Sequence, residues 1–162
     1  MRRIVVNSTP LIVLSNIKHL KLLKDLYSEI YIPKAVFDEV TFKNDSVNKE
    51  ICTNLDWIHV CKIQDESAKR MYQAKLHAGE VEIMILAQEN PKADLLIIDD
   101  SAAKKTAKFL GLNVTGTLGV LLKAKRVKLI EKVEPLMNQM IADGFYISPE
   151  IYALAKSEAK EK

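Results

Sequence analysis

Four carboxylates and one amide stand where an α/β protein would keep its chemistry. The apolar run Ile4-Val5-Val6 ends on Asn7, and the run Leu95-Leu96-Ile97-Ile98 ends on Asp99-Asp100. Open α/β sheets bind ligands at the carboxyl ends of their strands, near the point where strand order reverses. Glu39 and Glu80 lie between these runs on segments of helical period. Glu80 shares a stripe with Ile83, Met84 and Ala87, and Glu39 follows Ala35 and Val36 at i−4 and i−3, so both acids sit on or beside inward-packing faces. A carboxylate on such a face needs a partner, because desolvating an unpaired charge is costly or forces protonation. Acids that converge raise one another's pKa, and a divalent cation neutralises them most simply. Hard carboxylate and amide oxygens suit Mg²⁺ or Mn²⁺ better than zinc. Such a site acidifies a water and aligns it for attack on a phosphodiester. The competing reading pairs each acid with a lysine such as Lys34, Lys104 or Lys105, or uses it to cap a helix. Asp38 is expected to face solvent.

Ser8, Thr115, Thr117, Lys104 and Lys105 are the candidates for holding substrate. Thr115-Gly116-Thr117, after the last strand, offers hydroxyl and amide donors to a phosphate at a helix N-terminus. Lys104 and Lys105, with Lys108, follow the aspartate pair on one helix and can contact phosphates. A plain helix cap and a solvated basic face are the alternatives. Lys123, Lys125, Arg126 and Lys128 read as a solvated helix end. Trp57, Tyr72 and Tyr146 are scattered and form no stacking motif, so base readout has no support here.

The elements that must position these residues follow from alternation of short apolar runs with helical patterns, the mark of βαβ units and a parallel sheet. Strands are expected at 3–6, 29–32, 57–63, 95–98 and 112–115, rich in Ile, Val or Leu as strands covered on both faces should be. Ser8-Thr9-Pro10 offers a cap and an early proline to a helix beginning at Leu11, and Pro33 does the same for 34–40. Further helices are expected from Gly79 to Asn90, ended by Pro91, from Ser101 to Gly111, and over 118–126 and 129–143, the last closed by Gly144. Ser148-Pro149 begins a short final helix that frays into the charged residues 156–162. With 162 residues, no repeat and no low-complexity linker, the chain reads as one domain over residues 1–152 with a charged C-terminal tail at 153–162.

Composition excludes several classes. Hydrophobic residues at 48% and charged residues at 28% argue against disorder. No apolar run approaches the roughly 20 residues needed to cross a bilayer. Met1-Arg2-Arg3 leads straight into the first strand with no leader-like apolar region, so a cytoplasmic location is expected. Cys52 and Cys61 match neither a redox nor a zinc spacing and read as reduced, buried small hydrophobes. His19, His59 and His77 lack metal-site spacing. A net charge of +3 and a pI near 8.7 permit a polyanionic partner without requiring one.

The run VVNSTPLIVLSNIKHLKLLKDLYSEIYIPKAVFDEV, the segment HAGEVEIMILAQENPKADLLIIDDSAAKKTAKFLGLNVTGTLGVLL and the closing GFYISPEIY resemble PIN-domain proteins, metal-dependent ribonucleases that include VapC-type toxins. They are most similar to a poorly characterised prokaryotic PIN-like subgroup carrying the TGTLG segment. The resemblance covers about residues 3–152. It implies a three-layer α/β/α fold with a five-stranded parallel sheet of order 3-2-1-4-5, a Mg²⁺ or Mn²⁺ site, single-stranded RNA as substrate and a homodimer. A small antitoxin partner follows if the chain is a toxin. Carried over by position, the family's first acid falls on Asn7, the second on Glu39, the third on Glu80 and the last on Asp100 or Asp99. Spacing to Ala107 and Gly111 favours Asp100. The departure is Asn7, whose amide oxygen can coordinate a cation but brings no charge. Two functions are therefore expected to compete: an endoribonuclease with reduced activity, and a catalytically weak module that binds RNA or protein.

Overall fold

A computed structural model describes residues 3–64, 78–89 and 93–162. It forms a three-layer α/β/α fold around a five-stranded sheet of order β3-β2-β1-β4-β5. The strands are β1 (Ile4–Val6), β2 (Ile30–Pro33), β3 (Ile58–Cys61), β4 (Leu95–Ile97) and β5 (Val114–Thr115), and every pairing is parallel. The helices are α1 (Ser8–Asn16), α2 (Lys21–Tyr27), α3 (Lys34–Val40), α4 (Ser46–Cys52), α5 (Ala78–Gln88), α6 (Ser101–Phe109), α7 (Thr117–Arg126), α8 (Glu134–Ala142) and α9 (Pro149–Glu158).

Right-handed crossovers carry the chain from β1 outward through β2 to β3, then back across the centre to β4 and outward again to β5. Helices consequently cover both faces of the sheet. Ile4, Val5 and Val6 on the central strand are all fully buried, which explains a continuous apolar run in place of alternation. The order reverses between β1 and β4, where Val6 pairs with Ile97 and the Asn7 N–H bonds the Ile97 carbonyl at 2.9 Å. Asn7 and the Asp99-Asp100 pair thus leave adjacent strands at the switch point.

Several element boundaries differ from those expected. α1 starts at Ser8, three residues before the expected Leu11, with Pro10 inside its first turn. α2 and α4 have only seven residues each, too few turns to show a clear period in the sequence. α8 begins at Glu134, not at Leu129, because Pro135 fits only the first turn of a helix. The expected end of α5 at Asn90 and Pro91 lies outside the described residues, as do Tyr72 and His77. Cys52 is exposed and Cys61 half-buried, so neither is the buried hydrophobe expected; both thiols are free. Burial raises the Cys61 pKa.

The fraying expected of residues 156–162 does not occur. α9 runs to Glu158, and Glu161 beyond it accepts bonds from the Val133 N–H at 2.7 Å, the Lys125 ammonium at 2.9 Å and the Glu134 N–H at 3.0 Å. Those amides belong to the N-terminus of α8, whose first N–H groups have no partner within their own helix.

Candidate active site

Asn7 occupies the N-cap of α1, where an asparagine side chain usually accepts a bond from an N–H of the first turn. Asp45, Asp100 and Ser148 do this at the caps of α4, α6 and α9. Asn7 does not. Its Oδ1 is buried and has no hydrogen-bond partner among the described residues, the whole residue being only 4% exposed. A buried carbonyl oxygen left without a partner is unfavourable by about 1–3 kcal/mol, so this atom is an acceptor open to a donor or a cation.

Next along the chain, the Ser8 hydroxyl donates to Glu39 Oε2 at 2.8 Å, tying the end of β1 to the last turn of α3. Glu39 itself is exposed. Its other oxygen faces Gly79 in the first turn of α5, where an added Cβ would stand 3.1 Å from Oε1. Glu80, the next residue, is buried at 7% exposure. The neighbouring Glu82 accepts a bond from the Ala35 N–H at 3.0 Å, which docks α5 onto the start of α3. This link had no signal in the sequence beyond an acid one turn out of phase with the apolar stripe.

Across the switch point Asp99 is half-buried and held on both oxygens by one residue. The Thr117 N–H donates to Oδ1 at 2.8 Å and the Thr117 hydroxyl to Oδ2 at 2.7 Å. Asp100 is exposed and caps α6 by accepting from the Ala103 N–H at 3.0 Å. Thr117 is fully buried and serves Asp99. Thr115 Oγ1 packs against Gly119 of α7, where an added Cβ would stand 2.0 Å from it. Lys104 is half-buried and Lys105 exposed. Lys34 forms an exposed i,i+4 ion pair with Asp38 at 2.6 Å, away from the acids expected to need it.

Among the described residues no three His, Cys, Asp or Glu side chains stand close enough to hold a metal ion. A cation here must therefore draw on the Asn7 amide oxygen together with no more than two carboxylates. The donors are all oxygen, and one is an orphaned buried carbonyl. That set fits a hard divalent cation in kind while supplying little charge.

An all-parallel α/β sheet of order 3-2-1-4-5 places Asn7 and the Asp99-Asp100 pair where the order reverses, the position at which open α/β folds bind ligands. The chain belongs to the PIN-domain family, whose model matches residues 3–161. PIN domains are generally nucleases that use divalent metals and bind RNA. No curated protein matches the chain. No helix among the described residues is long and apolar enough to cross a membrane.

Proposed function

We propose that the protein is a divalent-metal-dependent endoribonuclease that cuts single-stranded RNA. The observation that carries this reading is the buried, unpartnered Asn7 Oδ1 at the switch point of the sheet. The Asn7 amide oxygen and two of the four carboxylates of Glu39, Glu80, Asp99 and Asp100 would hold Mg²⁺ or Mn²⁺. The cation supplies charge neutralisation at the phosphodiester and acidifies a water. The chain's own residues do the positioning. Ser8 fixes Glu39 through its hydroxyl. Thr117 fixes Asp99 in one rotamer by gripping both of its oxygens. Attack by water leaves a 5′-phosphate and a 3′-hydroxyl. Lys104 and Lys105 contribute cationic charge toward the RNA backbone. A homodimer, and a small antitoxin that blocks the pocket if the protein is a toxin, complete this reading.

The absence of a three-acid cluster among the described residues favours a second reading, a PIN-like module that binds RNA and acts by occupancy. Mixed single-stranded RNAs incubated with Mg²⁺ or Mn²⁺, against a chelator control, separate the two. Cation-dependent cutting with 5′-phosphate ends is expected. RNA retained intact with either cation would leave the binding module.

A further inference from the structure

α8 closes on Gly144, at φ +100°, and residues 145–147 connect it, outside any helix or strand, to Ser148 at the cap of α9. Phe145 and Ile147 pack against the core, whereas Tyr146 between them is 82% exposed. The Tyr146 ring has no hydrogen bond or ring contact among the described residues. It borders a cleft of about 330 Å³ that Asp99, Ser101, Lys104, Gly116 and Ile151 also line.

Gly116 is what brings charge to this cleft. A Cβ there would stand 2.6 Å from Asp99 Oδ1 and 2.9 Å from Lys104 Nζ, so only glycine lets both side chains close over the backbone. Asp99 is already bonded on both oxygens by Thr117. Lys104 forms no hydrogen bond or ion pair among the described residues. The cleft therefore presents an unmatched ammonium next to an acid of the candidate site, with an open aromatic face at its rim. Ligand sites run from about 300 to 1,000 Å³, and this one has room for a single nucleotide unit.

We propose that this cleft is a nucleotide subsite for single-stranded RNA, in which Tyr146 stacks a base and Lys104 holds the adjoining phosphate. The proposal rests on the RNA-directed reading of the neighbouring acids and adds the residue that grips the strand beside them. Every base has a π-face, so stacking on one tyrosine binds without sequence preference. An apolar peptide in the same cleft would leave the Lys104 ammonium unmatched.

The test is binding of a short single-stranded RNA carrying 2-aminopurine, measured in chelator so that cleavage plays no part. Wild type should bind and quench the 2-aminopurine. Tyr146→Phe should do the same, whereas Tyr146→Ala should weaken binding about tenfold and abolish the quench. Lys104→Gln should lower the slope of log affinity against log salt by about 0.7, the loss of one single-strand phosphate contact. Wild-type affinity and quench in Tyr146→Ala would overturn the subsite, as would a wild-type protein that binds no RNA. RNA bound in this Tyr146-dependent way but never cut with any cation would sink the nuclease reading and leave the subsite. Undiminished cutting and affinity in Tyr146→Ala would do the reverse.

Discussion

At the scale of single residues, Asn7 decides between a nuclease and a binding module. Its sequence position, at the end of an apolar strand, marked it as a ligand, but nothing in the sequence showed that its oxygen would be left without a donor. Only the fold reveals that, because an N-cap asparagine ordinarily satisfies itself on its own helix. The consequence is measurable in Asn7→Asp. In chelator the new carboxylate is buried near other acids, so the variant should melt below wild type. Adding Mn²⁺ should reverse the order. A tenfold tightening of metal binding is worth about 1.4 kcal/mol, or about 3 to 5 °C of additional melting-temperature shift for a chain of this length. RNA cutting should rise with it. An Asn7→Asp protein whose melting temperature ignores Mn²⁺ and whose RNA stays intact would show that residue 7 takes no part in a metal site.

At the scale of elements, the sheet was legible and the short helices were not. Ile4–Val6 are buried on both faces, as are Leu96 and Ile97 of β4, so their composition alone identifies them and their neighbours place the acids that follow. α2 and α4 are set by tertiary packing, which leaves too weak a trace in seven residues. The approach of α5 to α3 was also invisible, since it depends on a glycine at 79 facing Glu39. That contact yields a test in which stability and activity should part. Alanine favours a helix over glycine by about 0.5–1 kcal/mol, so Gly79→Ala should melt no lower than wild type. Its Cβ would press on Glu39 Oε1 and turn the carboxylate away from the pocket, so the Mn²⁺-induced shift and RNA cleavage should both fall. Full cleavage in a stable Gly79→Ala protein would mean that Glu39 has no fixed role.

At the scale of the whole molecule, the C-terminus is a structural part of the fold. Read as sequence, Lys156-Ser157-Glu158-Ala159-Lys160-Glu161-Lys162 looks like a solvated charged tail, because charge patterning carries no information about a distant helix start. The structure docks Glu161 onto Val133, Glu134 and Lys125, and Lys125 also bonds the Ala159 carbonyl. The carboxylate satisfies free amides at the N-terminus of α8, where the helix dipole favours negative charge. Burial pushes the Glu161 carboxyl up, but the bonds from the Val133 amide, the Lys125 ammonium and the Glu134 amide outweigh it and bring the pKa from 4.5 down to about 2. A carboxyl that is more acidic in the folded state stabilises the fold above its unfolded pKa and loses that contribution as protonation sets in. The stabilisation from Glu161 should thus be complete above about 4.5 and vanish as the pH falls through about 2. Glu161→Gln keeps the shape, removes the charge and sets an amide group against backbone N–H donors. It should melt several degrees below wild type near neutral pH. In urea unfolding followed down in pH, the gap between the two proteins should close across that window. A gap that stays constant into acid would show that the Glu161 charge does not hold the C-terminus in place.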